Sequence, residues 1–129
     1  MSIRTYQIGS SRKRGDGLRI GAVRFLPRGV KKQDYARLHL FDVWLPVLAP
    51  SRALLRWAKG REWNARSIKT FFARYAREME ASTDSWQVIR LVAQASLRTP
   101  ISVGCYCADE TRCHRSVLLK LIRKAQKAR

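Results

Sequence analysis

Three cysteines, a histidine and two arginines fall within eleven positions near the end of this 129-residue chain, in the run CYCADETRCHRS. Thiols next to Arg or His are pushed toward thiolate, the nucleophilic form, so Cys107 and Cys113 are candidate nucleophiles, with His114 as acid or base. Arg112 and Arg115 supply guanidinium forks, and Ser116 a hydroxyl, suited to one phosphate or carboxylate. The phosphatase arrangement of Cys, five residues, then Arg is absent, because the arginine's place is taken by Cys113. Zinc accepts Cys and His. Cys-x-Cys followed by an adjacent Cys-His nevertheless departs from the usual paired ligand knuckles, so the expectation is a reduced-thiol site with no metal and no cofactor. Cys105, in an apolar run, reads better as a small buried core residue that needs no function.

The elements around these residues explain why they would meet. ISVGCYC after Pro100 reads as an interior strand, CADETRC as the loop leaving it, and the segment from His114 as a helix with Val117, Leu118, Leu121, Ile122 and Ala125 on its buried side. A loop that feeds a helix start gathers free amide hydrogens and the positive end of the helix dipole at one place, which favours an anion. Ile101 to Ser116 is therefore the expected functional segment.

Earlier in the chain, Ile3 to Ile8 and Leu18 to Phe25 read as strands, joined by a Gly- and Arg-rich loop over 9–17 whose charges are expected in water. Pro27 and Gly29 hold Arg28 on a tight turn at a strand's end, where ligands bind in open α/β sheets. RLHLFDVWL reads as a short buried strand, and His39 within it as structural or exposed. Ser51 is a helix cap; apolar residues at spacings of three and four from Ile68 to Met79 mark a helix face, with the aromatic stripe taken as core. Residues 82 to 84 cap a further helix that Pro100 ends.

Composition narrows the class. There are 27 Lys and Arg against 9 Asp and Glu, a net charge of +18. Such a charge attracts polyanions, so nucleic acid or another phosphorylated ligand is the expected partner, and no protein partner is indicated. No apolar run reaches the roughly 20 residues of a membrane span, and the start lacks a secretory signal, so a cytoplasmic location with no membrane contact is expected. Three closely spaced cysteines do not form a disulfide framework. The length fits one domain over 1–129, with a basic C-terminal helix over 114–129. The expected fold is a compact α/β domain, a small mainly parallel or mixed sheet flanked by helices, with a Rossmann-like strand-loop-helix site.

In order and spacing, the pieces VRFLPRGVKK, WLPVLAPSRALLRWA, FFARYAREM and CADETRCHRS make the chain resemble the domain of unknown function 488 family, in its YeaO-like branch, over nearly its whole length. Members tend to show Asp-Arg-Leu-Trp-Pro-Arg-Gly at the first piece. Arg24, Pro27, Arg28 and Gly29 match; Val23 replaces the acid and Leu26 the tryptophan. Cys107, Cys113, His114 and Arg115 match the Cys, acidic loop, Cys-His-Arg pattern. The resemblance implies a compact α/β fold with these groups near one cleft, adding Arg24 and Arg28 to the candidate ligand contacts. The family supplies no reaction, so charge and cluster leave three expectations: a binding module for nucleic acid or a phosphorylated ligand, an enzyme using the Cys/His/Arg cluster on a nucleotide-like or phosphate-bearing substrate, or an interaction subunit whose cluster is only a structural cap.

Overall fold

A computed structural model describes residues 3–128. Four strands, β1 (Ile3–Gln7), β2 (Leu18–Gly21), β3 (Val43–Trp44) and β4 (Ile101–Cys105), and four helices, α1 (Arg52–Lys59), α2 (Ala65–Ala81), α3 (Thr83–Ser96) and α4 (His114–Lys127), form one α/β fold. The sheet order is β1-β4-β2-β3, every pair parallel. Parallel strands are covered on both faces, so their sequences read as apolar runs, and every residue of β4 is buried.

Register fixes which side chains share a face. Ile3 lies beside Ile101, and Ile20 beside Val103. These residues meet Phe71, Tyr75 and Met79 of α2, Ile89, Val92 and Ala93 of α3, and Leu118, Ile122 and Ala125 of α4 in the main core. The other face carries Arg19 beside Ser102 and Gly21 beside Gly104, and it is covered by loops. The Ser102 hydroxyl donates to the Asp16 carbonyl at 2.8 Å. The basic loop over 9–17 is thus tied to the sheet, and the charge of Arg19 within β2 is buried with Asp16 at 3.1 Å.

The helix starts follow side-chain chemistry. Ser51 accepts from the Leu54 amide at α1, Asn64 and Ser67 form a reciprocal capping box at α2, and Ser82 accepts from the Ser85 amide at α3. Two strand expectations need shortening. Pairing in β2 stops at Gly21 instead of Phe25, because the chain leaves the sheet after the Ala22 amide donates to the Gly104 carbonyl. Of RLHLFDVWL only Val43 and Trp44 pair; His39, exposed, takes a positive φ of 61° in a turn, and Pro46 ends the strand. No helix among the described residues is long and apolar enough to cross a membrane.

Candidate functional site

Strand β4 ends at Cys105, and the chain returns to the core at α4 through a loop with a short 3-10 turn at Glu110–Arg112. Beside the carboxyl ends of β4 and β2 lies a cleft of about 370 Å³, within the size range of small-ligand sites. Its sulfur-bearing side is Cys105, Cys107 and Cys113, with His114 beside them. Val23, Phe25, Leu55, Trp63 and Tyr106 supply much of the apolar wall. Arg24, Lys59 and Arg112 bring positive charge to the same lining.

Hydrogen bonds join the wall segments. Arg24 Nε and Nη2 donate to the carbonyls of Pro50 and Ala49, both at 3.1 Å. The Tyr106 hydroxyl donates to the Phe25 carbonyl at 3.1 Å, although both rings remain exposed. The Lys59 side chain, at the exposed end of α1, has no hydrogen-bond or ion-pair partner among the described residues.

The three sulfurs differ by position. Cys107 is exposed, whereas Cys105 and Cys113 are buried. Cys105 Sγ–H donates to Cys107 Sγ at 3.9 Å. That bond, followed by one with Cys113, lowers the Cys107 pKa; partial burial opposes the shift, and the nearby charge of Arg115 adds to it. The same contact with Cys107, together with burial, raises Cys105 to about 11. Cys113 is raised by its bonds to Cys105 and Cys107 and by burial. Burial lowers His114 to about 4, only partly offset by its backbone bond to Ala22, so the ring is neutral at neutral pH.

His114 Nε2 lies 2.8 Å from the Ala22 carbonyl. A carbonyl can only accept, so Nε2 carries the proton and Nδ1 presents its lone pair toward Cys113 Sγ, 3.8 Å away. Tyr75 packs edge-on against the imidazole at 5.1 Å between centroids.

Arg115, a candidate contact for a phosphate or carboxylate, is only 4% exposed. Its Nη1 donates to the Cys107 carbonyl at 2.5 Å and its Nη2 to the Ala108 carbonyl at 3.5 Å. Nε is buried without a partner. The guanidinium therefore braces the loop behind Cys107. Ser116 is likewise turned inward, its hydroxyl donating to the Cys113 carbonyl at 2.9 Å.

Arg24, Cys107, Arg112, Cys113 and His114 thus share the cleft lining; Arg28, Arg115 and Ser116 are not part of it. Arg28 is exposed on its turn. Lys59, Trp63, Phe25 and Tyr106 carried no sequence signal as site residues, because they come from separate segments that only the fold assembles. Lys120, Arg123, Lys124 and Lys127 line a separate shallow depression further along α4. A family model described as the active DUF488-N3 subclade matches residues 3–126. Neither the curated proteins nor the solved structures include a match to the chain.

Proposed function

The chain belongs to the domain of unknown function 488 family, and we propose that its cleft binds a phosphorylated ligand carrying a flat ring, a nucleotide in the simplest case. The carrying observation is the pairing of exposed aromatic surface, Phe25 at 53% and Tyr106 at 42%, with Lys59 and Arg112 in one lining. Aromatic faces suit a planar ring, and flanking cations suit its phosphate. Size supports a single nucleotide or a strand end over a stacked duplex. The net charge of +18 draws such anions to the surface and does not select among them.

Calorimetric titration of the chain with a nucleoside monophosphate, the matching nucleoside and inorganic phosphate tests this reading. The monophosphate binds more tightly than either part, its affinity falls as salt is raised, and Lys59→Ala weakens it while Arg28→Ala does not. Equal affinity for monophosphate and bare phosphate, or an unchanged Lys59→Ala variant, would reject the cleft. Binding confined to long oligonucleotides would place recognition on the basic surface instead.

A second reading, chemistry on the same ligand, is favoured by one observation: Cys107 is the exposed sulfur, and it lies in the cleft. The description of the matched family model as an active subclade agrees with it. Product formation from a nucleotide that stops in Cys107→Ser while binding persists is the expected result; turnover unchanged in Cys107→Ser would discard the role.

A further inference from the structure

We propose that Cys105, Cys113 and His114 form a binding site for a thiophilic divalent cation of the zinc class, with the fourth coordination position facing the cleft. The Sγ atoms of Cys105 and Cys113 and a ring nitrogen of His114 lie within 4.8 Å of one another. Cys113 Sγ and His114 Nδ1 are separated by 3.8 Å. Zinc bonds of about 2.3 Å to sulfur and about 2.0 Å to nitrogen, tetrahedrally arranged, place such donors about 3.5–3.8 Å apart. The donor set is thus within about 1 Å of coordinating distances before any ion draws it together.

The hydrogen bond on the far side of the His114 ring is an independent reason. Metal-bound histidines commonly donate their remaining ring N–H to a backbone carbonyl, which fixes both tautomer and orientation. His114 does so through Nε2 to the Ala22 carbonyl at 2.8 Å, leaving Nδ1 as the free donor on the sulfur side. Tyr75, fully buried, holds the ring from another direction.

Charge balance agrees with the burial. Two thiolates and a neutral imidazole cancel a divalent charge, so the loaded centre is neutral where an uncompensated ion would be costly. Binding releases both thiol protons to solvent, which balances the step. Linear spacing argued against a metal because Cys105 leaves a strand while Cys113 and His114 begin a helix; the donors meet only at the end of the sheet. All three residues line the cleft beside Cys107, whose Sγ is 3.9 Å from that of Cys105, so the remaining position lies on the cleft side. The inference goes beyond nucleotide recognition and stands without it.

Anaerobic titration of the reduced full-length chain with Co2+, followed by Zn2+, tests the site in the absence of nucleotide. Expected are one equivalent of Co2+ with thiolate charge-transfer and tetrahedral ligand-field bands, bleached by Zn2+, and a rise in thermal midpoint on adding Zn2+. The bands vanish in Cys113→Ser, with a folded circular-dichroism spectrum, and persist in Cys107→Ser. Should Cys113→Ser not fold, Cys105→Ala gives the same loss. A wild-type chain without the bands, or bands lost from Cys107→Ser and kept in Cys113→Ser, would overturn the proposal. Nucleotide binding measured separately on chelator-treated protein keeps the two readings distinct.

Discussion

Trp63 and Arg112 hold each other by two hydrogen bonds: the indole Nε1 donates to the Arg112 carbonyl at 3.4 Å, and Arg112 Nη2 donates to the Trp63 carbonyl at 3.2 Å. Trp63 also packs edge-on against Phe71 of α2 at 5.3 Å between centroids. The segment before α2 and the loop before α4 therefore form one wall, and its position depends on both residues. Trp63→Leu removes the indole donor and the aromatic surface while leaving the Arg112 side chain in place. Loop 109–113 is expected to exchange its amide hydrogens faster, and nucleotide affinity to fall about tenfold, equivalent to about 1.4 kcal/mol. Hydrogen exchange with mass readout and calorimetry check the two effects; an unaltered loop would mean that the pair does not hold the wall.

Stability on the acid side depends on Asp16. Its burial would raise the carboxyl pKa, but the Lys13 amide and the Arg19 guanidinium outweigh that effect, and the value lies below the ordinary one. Arg19 is equally buried, and it also donates to the carbonyls of Ser10, Ser11 and His39. Since the folded pKa is depressed, the stabilisation is present above the unfolded value of about 3.9 and is lost as pH falls through the folded value. Wild-type protein is expected to lose thermal stability below about pH 4. Asp16→Asn lacks this contribution, so its curve is flatter there; at neutral pH it is less stable by about 3 kcal/mol, because Arg19 is left charged and unpaired. Thermal midpoints of both chains from pH 7 down to pH 3 provide the comparison.

Residue pattern carried the helices and much of the site. The stripe containing Phe71, Tyr75 and Met79 specifies a buried helix face, and these residues are buried in α2. The turn from β4 into α4 was equally legible, because a short apolar run after Pro100 is followed by polar loop residues and a new apolar period. Arg115 was read as a ligand contact on account of its charge. Its spacing of three and seven residues from Leu118 and Ile122 already put it on the core side of α4, and those apolar neighbours are fully buried. Asp16 and Arg19 left no such trace, since nothing local shows that a Gly- and Arg-rich loop folds back over a sheet. The cleft wall was hidden for a related reason: Lys59 and Trp63 owe their position to the way α1 ends and α2 begins, which periodicity does not describe.

Arg115 is expected to affect the loop more than the fold. In Arg115→Met the aliphatic stem is largely kept, and the Cys107 and Ala108 carbonyls lose a donor at 2.5 and 3.5 Å. Both residues are exposed, so water can replace the lost bonds, and removing an unpaired buried Nε offsets part of the cost. Global stability should change by about 1 kcal/mol or less. Limited proteolysis within 106–113 should accelerate several-fold. A large fall in thermal midpoint with an unchanged cleavage rate would show that the guanidinium supports the core instead.

Two glycines with positive φ separate backbone strain from collision. Gly29 has φ of +73°, and an added Cβ there meets nothing within 4 Å; Gly17 has φ of +62°, and its Cβ would fall only 2.0 Å from the Pro100 carbonyl oxygen. That oxygen already accepts from the Leu18 amide at 2.9 Å, which fixes the start of β2 against the entry to β4. Relief would require backbone movement at a junction on which the sheet register depends. Gly29→Ala therefore incurs only the left-handed penalty, about 1 kcal/mol, whereas Gly17→Ala adds a collision and should cost more than about 2 kcal/mol. Urea unfolding of the two variants measures the difference. Similar midpoints would mean that the segment entering β2 can shift without disturbing the Pro100 contact.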